Sequence, residues 1–336
     1  MPGLAFFSLA LVSTTTRHAF PIRVEQVVRT DAEKAASQAK AGAKKAKEAA
    51  PKRKPGRPKG SKNQPKADLT LSPELHRIQT LVQDLLRLIV GWLSLTYLVL
   101  DGHFGNSPAF HMVRQCGLQL ISKLRSDAAL YVPYDGPYQG HGPHRKYGAK
   151  LNYATIPEQY LQHTTVEAQI ETRIYQAELL HRDFPQPLNV VIIAKTNLTT
   201  QKRAHVVLFS SDLALPYDKL IAYYSLRFQI EFTFRDAKQY WGLEDFMNVT
   251  ATAVTNAANL ALFMVNLVYV LLGDLRQTDP HWSVLDLKAY CRGYKYVTET
   301  LKMLPEQPDE HLVGQIFRQV ASLGRIHPTE SQANAA

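Results

Sequence analysis

The chain has 336 residues, 45% of them hydrophobic, which is enough to bury one large core or two ordinary ones and excludes a wholly disordered polypeptide. Its 39 Lys and Arg exceed its 29 Asp and Glu by ten; residues 29–66 hold 13 of the bases against 3 acids, so the whole excess lies there and 26 bases balance 26 acids elsewhere. Such a discrete basic segment points to a polyanion, nucleic acid first, while two distant cysteines, Cys116 and Cys291, support neither a disulfide framework nor a zinc site and suit a reducing compartment.

The first segment, residues 1–28, reads as a β-hairpin: an apolar run from Leu4 to Val12, a polar turn, and an alternating run from Ala19 to Val28. No basic residue precedes Leu4 and no small-residue cleavage site follows closely, so a strand is preferred to a secretory signal. Residues 29–68 turn to Ala, Lys, Gly and Pro and read as a solvated arm whose first half, Asp31 to Ala50, has helical composition.

In residues 69–129, Ser72 and Pro73 open a helix with apolar positions at Leu75, Ile78, Leu81, Val82, Leu85, Leu86 and Ile89. The unbroken apolar run Leu95 to Leu100 reads as a buried central strand ending on Asp101-Gly102. A short helix from Ser107 and a strand from Leu118 to Leu124 follow. Residues 130–165 look like irregular surface, and strands over Val166 to Glu178, Leu188 to Ala194 and His205 to Ser210 make residues 130–215 a β-rich insertion. Residues 216–248 hold one helix, Tyr217 to Trp241, and residues 249–336 hold two or three further helices and a tail. The apolar stretch Val254 to Leu272 is long enough for a membrane span but carries Asn256, Asn259 and Asn266, which favours a core helix.

The informative constellation lies in the helix from Tyr217. On one continuous helix at about 100° per residue, Tyr224, Arg227, Glu231 and Lys238 share an arc of about 60° beside an apolar stripe. The plain alternative is a solvated mixed-charge helix. Against it stands a second acid, Asp101, at the carboxyl end of a strand, where α/β sheets place their sites, although Asp-Gly is also a turn former. Asp101 and Glu231 together offer hard oxygen ligands for Mg²⁺, with Mn²⁺ as a substitute, and Arg227, Lys238 and Tyr224 offer phosphate contacts.

Tyr224-x2-Arg227-x3-Glu231-x6-Lys238, with Leu98-Val99-Leu100-Asp101-Gly102-His103-Phe104 upstream, resembles the signature of bacterial DDE transposases of the insertion-sequence-four type over about residues 1–325. The resemblance implies an α/β, RNase H-like core with a β-rich insertion and C-terminal helices. It implies Mg²⁺-dependent endonuclease and strand-transfer steps on double-stranded transposon and target DNA, by a homodimer in the bacterial cytoplasm, at the nucleoid, without a membrane. Asp101 then matches the second catalytic acid and metal ligand, Glu231 the third, and Tyr224, Arg227 and Lys238 the rest of the catalytic signature. The first acid belongs to a strand that would precede Leu4, and no acid in the sequence replaces it, so the expectation is a truncated member. Hairpin-forming relatives stack a flipped base on a Trp in the insertion; residues 130–215 contain none, leaving Tyr131, Tyr134, Tyr138, Tyr147 or Tyr153 as substitutes.

Within the arm, Lys52, Arg53, Lys54, Gly56, Arg57, Pro58, Lys59 and Lys62 make an AT-hook-like set for the minor groove, with Pro55 where an Arg is usual. Its plain alternative is a charged linker. Ser210-Ser211-Asp212 reads as a turn and cap rather than a further ligand. Two rivals to an active transposase are a catalytically inactive derivative that only binds DNA or partner subunits, and a stand-alone RNase H-like nuclease.

Overall fold

The computed structural model describes residues 5–28, 30, 31, 33, 35, 38, 39, 42, 71–138, 140, 143–245, 247, 250–306 and 308–327. The AT-hook-like residues Lys52, Arg53, Lys54, Gly56, Arg57, Pro58, Lys59 and Lys62 lie outside them. The chain divides into two compact units, residues 1–19 with 27–229 and residues 20–26 with 230–336.

In the first unit, β1 (Phe6–Val12) leads to a turn closed by the Ser13 N–H donating to the His18 carbonyl, and the hairpin's open end is tied by the Val27 N–H on the Ala5 carbonyl. The described residues between Asp31 and Gly42 are helical, and Thr30 and Glu33 cap their start reciprocally. Helix α1 (Pro73–Ile89) starts as the sequence predicts, with Ser72 accepting the Leu75 N–H, and it buries Leu75, Ile78, Leu81, Val82 and Leu85.

The main sheet is mixed and eight-stranded. Strand β3 (Tyr97–Val99) runs parallel to β4 (Gln119–Leu124) with α2 (Ser107–Gln115) as the crossover, and β4 is antiparallel to β10 (Arg203–Ser210). The order continues β10, β9 (Leu188–Asn197), β8 (Ile170–His181), β5 (Leu130–Pro133), β6 (Tyr147–Lys150), with β7 (Leu161–Glu167) also on β8. The α/β expectation, with C-terminal helices, is borne out.

Three details of the main sheet depart from the sequence reading. Among the described strands β3 is an edge strand, three residues long and half-buried, rather than a buried central one. Its run is apolar because both faces are covered: Leu95, Leu98 and Leu100 pack with α1 and α2, and Tyr97 and Val99 pack with residues around Leu220. Val166 to Glu178 is not one strand, because Ala168 and Gln169 take positive φ of 46° and 61° and turn the chain between β7 and β8. Residues 130–165 are not all irregular: β5 and β6 pair there, and the strands of the insertion continue the same sheet as β3 and β4.

The predicted helix over Tyr217 to Trp241 is two helices, α3 (Tyr217–Leu226) and α4 (Gln229–Trp241). At the break Arg227 and Phe228 donate to Tyr224 and Ser225, three residues back instead of four, so the turn tightens and the α ladder is interrupted. The shared arc of Tyr224, Arg227, Glu231 and Lys238 assumed an unbroken helix and does not hold as stated.

The second unit contains β2 (Ala19–Gln26) from Phe20 onward, α4 from Ile230, α5 (Ala251–Thr278), α6 (Val284–Lys302) and α7 (Glu310–Ser322). Helix α5 is the apolar stretch; it meets the length and hydropathy of a span, and it buries Val254, Ala258, Ala261, Leu262, Val265, Val268 and Leu272 while leaving Leu260, Phe263, Val270 and Leu271 exposed. Its asparagines are used locally. Asn259 exchanges both hydrogen bonds with the backbone of Val24, at 3.1 and 2.9 Å, and Asn266 donates to the Pro21 carbonyl at 2.7 Å. These amides satisfy strand groups that an apolar helix face would leave unpaired.

Candidate active site

Asp101 lies two residues past the end of β3, and its segment is fixed at three points. The Leu100 N–H donates to the Ile121 carbonyl, Ser122 Oγ donates to the Asp101 carbonyl at 3.0 Å, and Asp101 Oδ1 accepts the Gly102 N–H at 2.7 Å as the cap of a short 3-10 turn, Gly102–Phe104. The backbone then passes so close to β4 that a Cβ on Gly105 would sit 2.1 Å from the Lys123 carbonyl oxygen, so only glycine fits. Asn106 caps α2 by accepting the Ala109 N–H at 3.0 Å. Asp101 is thus the turn former its Asp-Gly sequence suggests and also an accessible acid, with 57% of its side chain exposed.

Tyr224 and Arg227 are brought to this acid. Arg227 Nε lies 3.9 Å from Asp101 Oδ1, and the guanidinium stands over the rings of Phe228 at 4.4 Å and Tyr224 at 5.9 Å. Burial raises the Tyr224 phenol above its ordinary value, with the Asp101 charge adding to it and Arg227 opposing, so Tyr224 remains a neutral hydrogen-bond donor at physiological pH. Lys123 also stands here, its Cε 3.2 Å from where a Cβ on Gly102 would be. Sequence reading missed Lys123; the only signal was its place on the strand paired with β3.

Glu231 and Lys238 belong to the second unit. Glu231 is exposed in the first turn of α4, and Lys238, near its end, forms an ion pair with Glu244 just past Gly242, whose φ of 69° ends the helix. Asp212 is braced as a turn, accepting the Tyr97 hydroxyl at 2.6 Å and the Ala214 N–H at 3.0 Å. Each tyrosine proposed for base stacking already has a cationic or aromatic neighbour: Arg182 for Tyr131 and Tyr147, Arg145 for Tyr134, His144 for Tyr138 and His205 for Tyr153.

Among the described residues no three His, Cys, Asp or Glu side chains gather as a metal site. The donor chemistry at Asp101 nevertheless suits Mg²⁺, an exposed carboxylate oxygen being its preferred protein ligand, and Mg²⁺ commonly uses one or two carboxylates with water and phosphate completing its shell.

An acid at a strand's carboxyl end, held beside a cationic side chain and a neutral phenol, is an arrangement suited to phosphodiester chemistry. Comparison with known proteins points the same way. The family model described as DDE superfamily endonuclease matches residues 1–182, a stretch that includes Asp101 and ends before Tyr224. No curated protein matches the chain. The mixed α/β fold is consistent with an RNase H-like endonuclease domain, and since the match takes in more than half of the sequence, the chain belongs to the DDE superfamily endonuclease family.

Proposed function

We propose that this endonuclease-family chain is a transposase of the insertion-sequence-four type, acting on double-stranded transposon and target DNA as a homodimer in the bacterial cytoplasm. The observation that carries the reading is Asp101, an exposed carboxylate immobilised at the end of β3 with Arg227 alongside. Asp101 and Glu231 are the residues that would hold Mg²⁺ or Mn²⁺, and the ion, when bound, supplies activation of water or a 3′-hydroxyl and charge neutralisation at phosphate. Arg227, Lys238 and Lys123 bind phosphate oxygens, and Tyr224 donates a hydrogen bond to another. The basic arm, with Lys52, Arg53, Lys54, Gly56, Arg57, Pro58, Lys59 and Lys62, adds sequence-tolerant minor-groove contact.

The test is divalent-dependent cleavage and strand transfer on the terminal inverted repeats of the encoding element, with Asp101→Asn and Glu231→Gln alongside. Activity that survives either substitution refutes the assigned acids. The alternative reading is a DNA-binding derivative without catalysis. DNA binding with no cleavage in Mg²⁺ or Mn²⁺ supports that reading over the first.

A further inference from the structure

The far edge of the main sheet is the hairpin β5–β6, six strands away from β3. It is rich in exposed cations. Arg145, Lys146 and Lys150 on the hairpin and Arg182 after β8 are all exposed, and the acids of these segments are Asp135 and Asp183, the latter 3.8 Å from His181. No carboxylate among the described residues lies within ion-pair distance of Arg145, Lys146 or Lys150.

The cations are held in place rather than merely present. Tyr131 and Tyr147 meet edge to face at 5.4 Å across the two strands, and Arg182 stands 5.0 Å over the first ring and 6.0 Å over the second. Arg145 Nε donates to the Tyr147 carbonyl at 2.9 Å while its guanidinium lies 4.8 Å over Tyr134. Lys146 Nζ donates to the Pro185 carbonyl at 3.4 Å, and Lys150 is opposite Tyr131 in the strand register. Cations stacked on aromatic rings have given up side-chain freedom before any ligand arrives, which lowers the cost of binding an anion.

Lysines on an edge strand also serve to repel other strands. That role asks only for charge, whereas here two guanidiniums are positioned by rings and by a backbone carbonyl. The same stacking covers ring faces of Tyr131, Tyr134 and Tyr147, which argues against their use as base-stacking platforms and in favour of phosphate contact.

We infer that the β5–β6 edge, through Arg145, Lys146, Lys150 and Arg182, is a second DNA contact that grips the phosphate backbone without reading sequence. This rests on the reading of the chain as a DNA-acting protein. Six strand spacings of about 4.8 Å place the contact roughly 29 Å from β3 along the sheet, a length of about eight base pairs. A duplex engaged at both ends of the sheet would be held against rotation at the Asp101 end.

The experiment is fluorescence anisotropy of the full chain on a random-sequence duplex over a series of salt concentrations. The parent is compared with the triple variant Arg145→Ala/Lys146→Ala/Lys150→Ala and with an arm variant, Lys52→Ala/Arg53→Ala/Arg57→Ala. All three substituted residues on the edge are exposed, so the fold should persist, with the melting temperature lowered only slightly by loss of the Arg145 and Lys146 contacts to backbone carbonyls. The triple variant is expected to reduce the steepness of log K against log[salt] by about two to three, the release expected for three phosphate contacts. A parent-like slope in the triple variant, with binding by the parent intact, overturns this surface and leaves the DNA reading standing. Failure of the parent to bind in low salt overturns both.

Discussion

Arg227 Nε stands 3.9 Å from the carboxylate of Asp101, and the two differ sharply in accessibility: 20% of the Arg227 side chain is exposed against 57% of Asp101. The cation is largely covered, with the Phe228 and Tyr224 rings beside it, and the acid is open, so the acid is the member of the pair that can take a new ligand. Its structural and chemical roles separate by substitution. Asp101→Asn retains an oxygen to accept the Gly102 N–H and should leave thermal stability nearly unchanged while abolishing divalent-dependent cleavage. Asp101→Ala removes the cap as well and should cost about 1 kcal/mol in addition. Urea melts beside cleavage assays check both; a stable, fully active Asp101→Asn would remove this residue from the site.

The loop that carries Asp101 depends on Gly105. Its backbone conformation is ordinary for any residue, but a methyl group there would strike the Lys123 carbonyl oxygen at 2.1 Å, and that oxygen belongs to a strand that cannot step aside. Gly105→Ala should destabilise the fold by about 1–3 kcal/mol or more and displace Asp101 relative to Ser122. Hydrogen exchange at residues 101–106 is the measurement, with accelerated exchange expected. Gly91, which has open space around it and a φ of 82°, is the contrasting position, where strain rather than a clash is at stake.

Much of this was legible in the sequence, and the exceptions have physical causes. Helix α1 announced itself through Ser72, Pro73 and a regular apolar stripe, and Asp101 through its place after an apolar run. The break between α3 and α4 carries no Gly or Pro; Arg227 and Phe228 simply tighten one turn, which residue-type patterns do not record. The β7–β8 turn uses Ala168 and Gln169 at positive φ instead of the Asn-Gly or Gly-Gly pairs that mark such turns. An edge strand with both faces covered, as in β3, has the same apolar pattern as a central one, since burial of faces and pairing of edges are independent. Asn259 and Asn266 were visible as polar residues in an apolar helix, but their partners on β2, more than two hundred residues earlier, were not.

Those asparagines support a stability prediction. The Asn259 side chain satisfies both the N–H and the carbonyl of Val24, a residue 2% exposed, so removing it leaves two covered backbone groups without protein partners. Asn259→Leu, although more apolar, should destabilise by about 2–4 kcal/mol. Asn266→Leu breaks the hydrogen bond to the Pro21 carbonyl and should cost less. Chemical denaturation of both variants gives the comparison; equal or stabilising effects would mean that β2 does not depend on these amides.

The last turn of the second unit predicts a pH response. Asp286 is fully buried and accepts hydrogen bonds from Ser283, from the backbone N–H groups of Ile326 and His327 at 2.5 and 3.0 Å, and from the His327 ring at 2.8 Å. Burial pushes its carboxyl up, but the hydrogen bonds from Ser283 and His327 outweigh it and hold the group well below the usual carboxylate range. A carboxyl whose folded value lies below its unfolded one, about 3.9 for Asp, stabilises the fold fully above that unfolded value and loses the contribution as pH falls through the folded one. The wild type should therefore lose stability below about pH 4, and Asp286→Asn should be less stable at neutral pH with a flatter acid limb. Neighbouring Arg325, paired with Asp279 at 2.6 Å and stacked 4.0 Å over Trp282, supplies the control: Arg325→Ala should lower stability while leaving the Asp286 contribution to the acid limb in place. Urea melts at a series of pH values from neutral to about 2 check the pair, and an acid limb unchanged in Asp286→Asn would show that the contacts of Ile326 and His327 do not govern this carboxyl.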